Sequence, residues 1–371
     1  KNTVFKYFKD KPEFSERMAR LYKPDNSLEA LSENSLEALY GDGDIVSSYS
    51  KLEKFRRCPF SYFCAYTLRL SPQAKGEIGA AEHGNIVHKI LEETVPVICM
   101  KASQNESFGE GELESIVRTN LDELLNRLMP ESGALSNRFR HMFKKIETSL
   151  IPLCKMIVEE LRASKFVPVD FELDLSDAGS VAPAEIPLQD GKMLKIIGKI
   201  DRVDLFKDPK TEKSWIRITD YKTGSTKFNL DDVKSGFNLQ MLLYLYTLVK
   251  NGSEQYGNVY PAGVIYTTVV PPSGKDDISN TCKPDYSEPE FKAETSGIVV
   301  NDFDVVFAMD RSGSGQFIPV KLKDGMLDKN AKNTLPFDDF AALLEESVKF
   351  AGEMADGIRH GDKRAIPESP K

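Results

Sequence analysis

No apolar run in this chain reaches the roughly 20 residues needed to span a bilayer, and no secretory leader is read ahead of the fold. A membrane-spanning helix and an export route are therefore not expected. Cysteine is sparse: Cys58, Cys64, Cys99, Cys154 and Cys282 form an odd set without framework spacing, which excludes a disulfide scaffold and favours a reducing compartment. Basic charge is in deficit as well. The net charge of -8 excludes a histone-like coating of nucleic acid but leaves room for a local basic groove around an acidic metal site. The chain also lacks an initiator Met, and residues 1–10 and 366–371 read as cuts within a longer polypeptide. What is present is ordinary soluble protein, 40% hydrophobic and 29% charged over 371 residues, enough for one large or two ordinary domains.

The chemistry concentrates in two stretches. Gly198-Lys199-Ile200-Asp201-Arg202-Val203-Asp204 and Trp215-Ile216-Arg217-Ile218-Thr219-Asp220-Tyr221-Lys222-Thr223-Gly224 alternate β-branched or aromatic residues with polar ones, and 207–214 between them is turn-forming. They are expected to form a hairpin. A turn centred between Lys210 and Thr211 sets Asp201 opposite Asp220, because both are equidistant from that centre. Lys222 shares the face of Asp220, and cross-strand partners sit about 5 Å apart at Cβ, so two carboxylates and an amine converge. Like charges directly opposite destabilise a sheet unless a cation compensates them. Mg²⁺ suits the place, since it takes one or two carboxylates and completes its shell with water and phosphate oxygens. The alternative is an exposed Asp pair with a Lys partner at a sheet edge.

Earlier in the chain, Ser50 and Glu53 have capping-box spacing, so a helix is expected to start there and run through Arg56-Arg57-Cys58-Pro59-Phe60-Ser61-Tyr62-Phe63-Cys64. Its aromatics beside arginines read either as core packing with a solvated basic side or as a clamp on a nucleic-acid strand. An amphipathic helix over 77–99 carries Ala81, Gly84, His88, Leu91 and Val95 on one face. His88 is either a satisfied core residue or, if that stripe packs over the hairpin, a ligand for an ion such as Mn²⁺. Helices over 112–129 and 136–163 carry no chemical signal. A strand over 166–175 includes Glu172, either an extra acid near the site or, the reading preferred, solvent-facing. Asn229, with Asp231 and Asp232, caps a helix running to 250 on which Gln240 and Tyr244 share a face with Val233 and Leu248. A strand over 263–270, a polar flexible loop over about 273–297, a short strand at 298–300, a hairpin near 317–323 and a last helix over 337–360 complete the reading.

In this order the motifs Gly84-Asn85-Ile86-Val87-His88, Gly198-Lys199-Ile200-Asp201-Arg202, Asp220-Tyr221-Lys222-Thr223-Gly224 and Leu239-Gln240-Met241-Leu242-Leu243-Tyr244 resemble the RecB-type branch of the PD-(D/E)XK nucleases. The flanking Leu39-Tyr40-Gly41, Ser50-Lys51-Leu52-Glu53 and Cys58-Pro59-Phe60 make the resemblance nearest to the AddB-type nuclease domains of bacterial helicase-nucleases, and it covers nearly the whole chain. It implies an α/β fold with a mixed central sheet flanked by helices. Residues 1–45 would be a connecting segment and 46–371 the nuclease domain, with a helical insertion at about 100–165. It implies Mg²⁺ or Mn²⁺ held by His88, Asp201, Asp220 and the Tyr221 carbonyl, with Lys222 at the attacking water and Gln240 and Tyr244 on the DNA backbone. It further implies hydrolysis of single-stranded DNA fed by an AddA-like helicase-nuclease partner, in a bacterial cytoplasm, during double-strand-break repair. The contrasting expectation is a catalytically silent DNA-binding or scaffolding domain. Cys58 matches the first of four cysteines that hold a [4Fe-4S] cluster in that family. The other cysteines here do not match, so the cluster is not expected from this chain alone.

Overall fold

The computed structural model describes residues 31–71, 80–104, 106–109, 111–128, 137–222, 227–270, 292–323, 326–327 and 331–369. Helix α1 (Glu33–Tyr40) leads into strand β1 (Ile45–Ser48), helix α2 (Tyr49–Arg57), the single turn α3 (Pro59–Tyr62) and a π-helical turn (Phe63–Thr67). Helices α4 (Ala80–Ser103), α5 (Glu112–Leu128) and α6 (Asn137–Ala163) follow. Strands β2 (Val167–Leu175), β3 (Glu185–Pro187), β4 (Met193–Lys207) and β5 (Ser214–Lys222) come next. Helices α7 (Leu230–Lys234), α8 (Gln240–Asn251) and α9 (Ser253–Tyr256) precede β6 (Val259–Val270), β7 (Lys292–Val300) and α10 (Phe303–Met309). The small strands β8 (Leu322–Lys323), β9 (Met326–Leu327) and β10 (Thr334–Leu335) and the long helix α11 (Phe337–Arg359) end the order.

Among the described residues, eight strands form one mixed sheet in the order β1-β4-β5-β6-β7-β10, with β2 and β3 also paired to β4. The strand pair β4–β5 is antiparallel and β5–β6 parallel, so the crossover α7–α9 must carry the chain from the end of β5 back to the start of β6. Strand β5 is buried from Trp215 to Tyr221, as befits a central strand covered on both faces. One apolar cluster joins the sheet to α2, α8 and α11 through Leu52, Leu242, Leu245 and Phe340. A second gathers α4, α5 and α6 around Ile90, Ile98, Ile146 and Ile157, and Tyr221 of β5 reaches into it. The site strand is therefore gripped by two packed layers at once.

Several expectations are revised. Helix α2 begins at Tyr49 with Ser48 at its N-cap and no side-chain cap bond, so the Ser50/Glu53 capping box is not formed. It ends at Cys58, whose φ of -169° precedes Pro59, a residue that disfavours helix in its predecessor. Asn229 does cap, accepting from the Asp231 N–H, but the expected single helix is two. Gly236 (φ +82°) and Asn238 (φ +56°) turn the chain between them, which removes Val233 from the face of Gln240 and Tyr244. Residues 292–297 of the expected loop are strand, paired with β6. The rest of that loop, with Cys282, lies outside the described residues, as do residues 1–30 of the connecting segment. The small hairpin sits at 322–327 rather than 317–323. Strand β1, absent from the expectations, pairs in parallel with β4 from Ile45↔Leu194 to Ser48↔Ile197.

Candidate active site

The β4–β5 ladder runs in one register from Lys207↔Ser214 to Arg202↔Thr219, and the next step sets Asp201 against Asp220. That is the register expected from a turn centred between Lys210 and Thr211. Past this point β5 stays paired with β6 as far as Lys222↔Thr268, while β4 is held by β2, β3 and β1 instead. The two acids thus sit where the strands part. Tyr221 N–H donates to Asp201 Oδ2 at 2.8 Å, bridging the gap. His88, on α4, places Nδ1 3.3 Å from the same oxygen. Lys222 Nζ donates to Asp220 Oδ1 at 3.0 Å and lies 2.8 Å from Oδ2 without the angle for a second hydrogen bond. His88, Asp201, Asp220, Tyr221 and Lys222 are therefore brought together.

Their electrostatics are unbalanced. Burial, then the charge of Asp201, pushes the Asp220 carboxyl above its ordinary value, and Lys222 only partly offsets this. The hydrogen bond with Asp201 lifts the His88 imidazole above its ordinary value, against the effect of burial. Glu172 was read as solvent-facing, and the structure corrects this. The pairs Phe171↔Arg202 and Leu173↔Ile200 bracket it opposite Asp201. Its φ of +48° is rare for a non-glycine residue, and its side chain lines a small cavity with His88, Glu92 and Asp201. Burial, followed by the charges of Asp201 and Glu92, raises its carboxyl too. Of the two sequence readings of Glu172, the extra acid near the site is the one that fits this placement.

Gln240 and Tyr244 are adjacent, Gln240 Nε2 donating to Tyr244 Oη at 3.4 Å. Tyr244, however, is only 3% exposed, and a Cβ built on Gly198 would meet its Oη at 1.9 Å. The Tyr244 ring packs beneath β4 and supports the site from below. Gln240 is half-buried in the first turn of α8. Behind the acids lies a set of charges the sequence reading did not weigh. Arg202, Asp204 and Arg217 are fully buried and Glu160 nearly so. Arg202 Nη2 donates to Glu160 Oε1 (2.7 Å) and Asp204 Oδ2 (2.9 Å), Arg217 Nε donates to Asp204 Oδ2 (2.8 Å), and Arg217 Nη2 donates to Glu160. The available signal was charged residues at alternate positions of strands otherwise apolar.

The donor set suits a hard divalent cation. Asp220 Oδ2 is buried, meets the Lys222 ammonium at 2.8 Å in an ion pair, and faces a second carboxylate across one strand step. No group of three or more His, Cys, Asp or Glu side chains among the described residues forms a ready metal cage. Two carboxylates are what Mg²⁺ uses when water and phosphate oxygens complete the octahedron, and the imidazole beside one of them also admits a transition metal such as Mn²⁺. The [4Fe-4S] group is a different case. Cys58 is half-buried at the α2–α3 kink, where Phe60 N–H donates to Arg364 O (3.2 Å) and Glu368 N–H to Arg57 O (2.6 Å). The described residues offer it no companion ligands, so they do not fit such a cluster. Among them, no helix is long and apolar enough to cross a membrane.

A family model described as the PD-(D/E)XK nuclease superfamily matches residues 46–368. Among curated proteins, the B subunit of the ATP-dependent helicase/deoxyribonuclease of Caldanaerobacter subterraneus is 26% identical over 370 residues, covering 98% of this chain and 32% of that protein. The proteins of the same name from Clostridium acetobutylicum and Clostridium novyi are 27% and 29% identical, with 98% and 93% of this chain covered and 32% and 31% of theirs. The chain spans about a third of the length of the curated relatives it matches.

Proposed function

The chain belongs to the PD-(D/E)XK nuclease superfamily, and from that premise we propose that it is a divalent-metal-dependent deoxyribonuclease domain hydrolysing phosphodiester bonds of single-stranded DNA. The observation that carries this is the pairing of Asp201 with Asp220 one step past the ladder, with Lys222 on one acid and His88 on the other. Asp201, Asp220, the Tyr221 carbonyl and His88 would hold Mg²⁺ or Mn²⁺. When bound, such an ion polarises the phosphoryl group and lowers the pKa of water. Lys222, sharing Asp220, orients the attacking water and offsets charge that develops on the phosphoryl oxygens. Gln240, at the open end of α8, faces the incoming backbone, and Tyr244 keeps β4 at its proper height through Gly198. The product would carry a 5′-phosphate.

The name the relatives share, that of a helicase/deoxyribonuclease, supports a wider setting. In that setting residues 46–371 act as the nuclease domain behind a connecting segment. An AddA-like helicase-nuclease partner feeds them DNA in a bacterial cytoplasm, and the product serves recombinational repair. In the longer protein Cys58 would be one ligand of a [4Fe-4S] cluster completed by residues other than those described.

A catalytically silent scaffold has no use for two apposed, buried acids served by a single lysine. The test is incubation of end-labelled single-stranded DNA with the protein and Mg²⁺, alongside Asp220→Ala and a chelator control. Cleavage by the wild type that both the substitution and the chelator abolish is the expected result. Binding without cleavage by the wild type would favour the scaffold.

A further inference from the structure

We propose that Arg202 is a positioning residue of this site, acting through the Tyr221 hydroxyl to hold Asp201 and Asp220 at the spacing a divalent cation requires; the inference rests on the cation-site reading given above. Backbone pairing ends just short of the acids. The last regular β4–β5 pair is Arg202↔Thr219, so the two acids lie beyond the ladder that aligns their strands. Strand β5 is fixed there by β6, but nothing in the β4–β5 ladder fixes β4 against it at Asp201. Two side-chain contacts take over, and both converge on Tyr221. Its N–H donates to Asp201 Oδ2 at 2.8 Å, and its Oη accepts from Arg202 Nη1 at 2.9 Å. Tyr221 lies between Asp220 and Lys222 in sequence, and Arg202 follows Asp201. One phenol therefore ties the residue after the first acid to the residue after the second.

Arg202 can serve as an anchor because it cannot move. Its side chain is fully buried, its Nη2 donates to Glu160 Oε1 and Asp204 Oδ2, which Arg217 also engages, and its Nε lies 2.9 Å from Asp204 Oδ1 in an ion pair. The network holds two guanidiniums and two carboxylates, so it is neutral as a whole. Burying such a set contributes little or nothing to stability compared with apolar residues of the same volume, and a role in fixing geometry is the better account of its place directly behind the acids. The Tyr221 ring is packed in the α4–α6 cluster, which restricts the hydroxyl to this one partner direction. Outer partners that orient a metal ligand are worth about 10–100-fold in metal affinity when removed.

The experiment uses the 371-residue protein, with Mn²⁺ as probe, followed by the paramagnetic resonance of the free ion. Tyr221→Phe keeps the ring and deletes only the acceptor. The expected result is a loss of about tenfold or more in Mn²⁺ affinity. With single-stranded DNA as substrate, kcat should fall and KM should stay near the wild-type value. Glu160→Gln, which loosens the Arg202 anchor from its far side, should shift both quantities in the same direction by less, and it serves if Tyr221→Phe does not fold. Unchanged Mn²⁺ affinity and kcat in these variants would overturn the inference while leaving the nuclease reading intact. A parallel loss of melting temperature, Mn²⁺ affinity and DNA affinity would reduce the network to a structural one and overturn it too. A wild type that neither binds Mn²⁺ nor cleaves, with Asp220→Ala indistinguishable from it, would remove the nuclease reading and this inference together.

Discussion

Asp220 lies in surroundings that oppose its charge. Its carboxyl is buried and faces Asp201. A carboxyl whose folded value lies above the unfolded 3.8 binds more protons folded than unfolded in the interval between them, so stability falls as pH rises through that window. At neutral pH the charge therefore opposes folding, and Asp220→Asn should raise the thermal midpoint of the metal-free protein while abolishing cleavage. A lowered midpoint, read by circular dichroism, would contradict this. Lys222→Ala should cost about 10²–10³-fold in kcat by removing charge stabilisation at the phosphoryl group, with DNA affinity kept. These residues were legible in the sequence because Asp220 and Lys222 are two apart on a strand and the turn centre fixes who opposes Asp201. Glu172 was legible only as one of two alternatives, because its place depends on a backbone turned to φ +48°, which no side-chain pattern announces.

At the scale of elements, helix α8 and strand β4 meet at a contact that leaves no room for a methyl group. A Cβ at Gly198 would stand 1.9 Å from Tyr244 Oη and 2.4 Å from its Cζ. Gly198→Ala should therefore cost about 1–3 kcal/mol in denaturant unfolding, the range of overpacked cores, and should lower activity by displacing β4. Adding Tyr244→Phe removes the nearest atom and should restore part of the loss; a double variant no better than the single one would show that the clash lies elsewhere. The helices and the central strands were readable from periodicity and capping, the Asn229 cap among them. Where the reading failed, local geometry decided. Gly236 and Asn238 adopt positive φ and split one expected helix into two. Strand β1 is four residues long, too short to show alternation, and exists because β4 offers it an edge.

Across the whole molecule, the mixed sheet between helical layers was implied by the family resemblance of the motifs, but its charged interior was not. Arg202, Asp204 and Arg217 look like surface residues in isolation, and only the closing of α6 over the sheet buries them with Glu160. Burial alone would raise the Asp204 carboxyl, yet Arg202 and Arg217 outweigh it and hold it below its ordinary 3.8. A depressed carboxylate contributes stability that is present above the unfolded value and lost as pH falls through the folded one. The Asp204 contribution to the unfolding free energy, read by denaturant as the difference between wild type and Asp204→Asn, should accordingly stay level on the acid side until about pH 3.8 and shrink below it. An acid limb identical in the variant would contradict the assignment. The central claim is that Asp201 and Asp220 grip one divalent cation, and the most direct measurement is anomalous diffraction from crystals of this protein grown with Mn²⁺. The account predicts a single strong peak within about 2.5 Å of a carboxylate oxygen of each acid. A protein that cleaves DNA with Mn²⁺ while its peak lies away from both acids would contradict it.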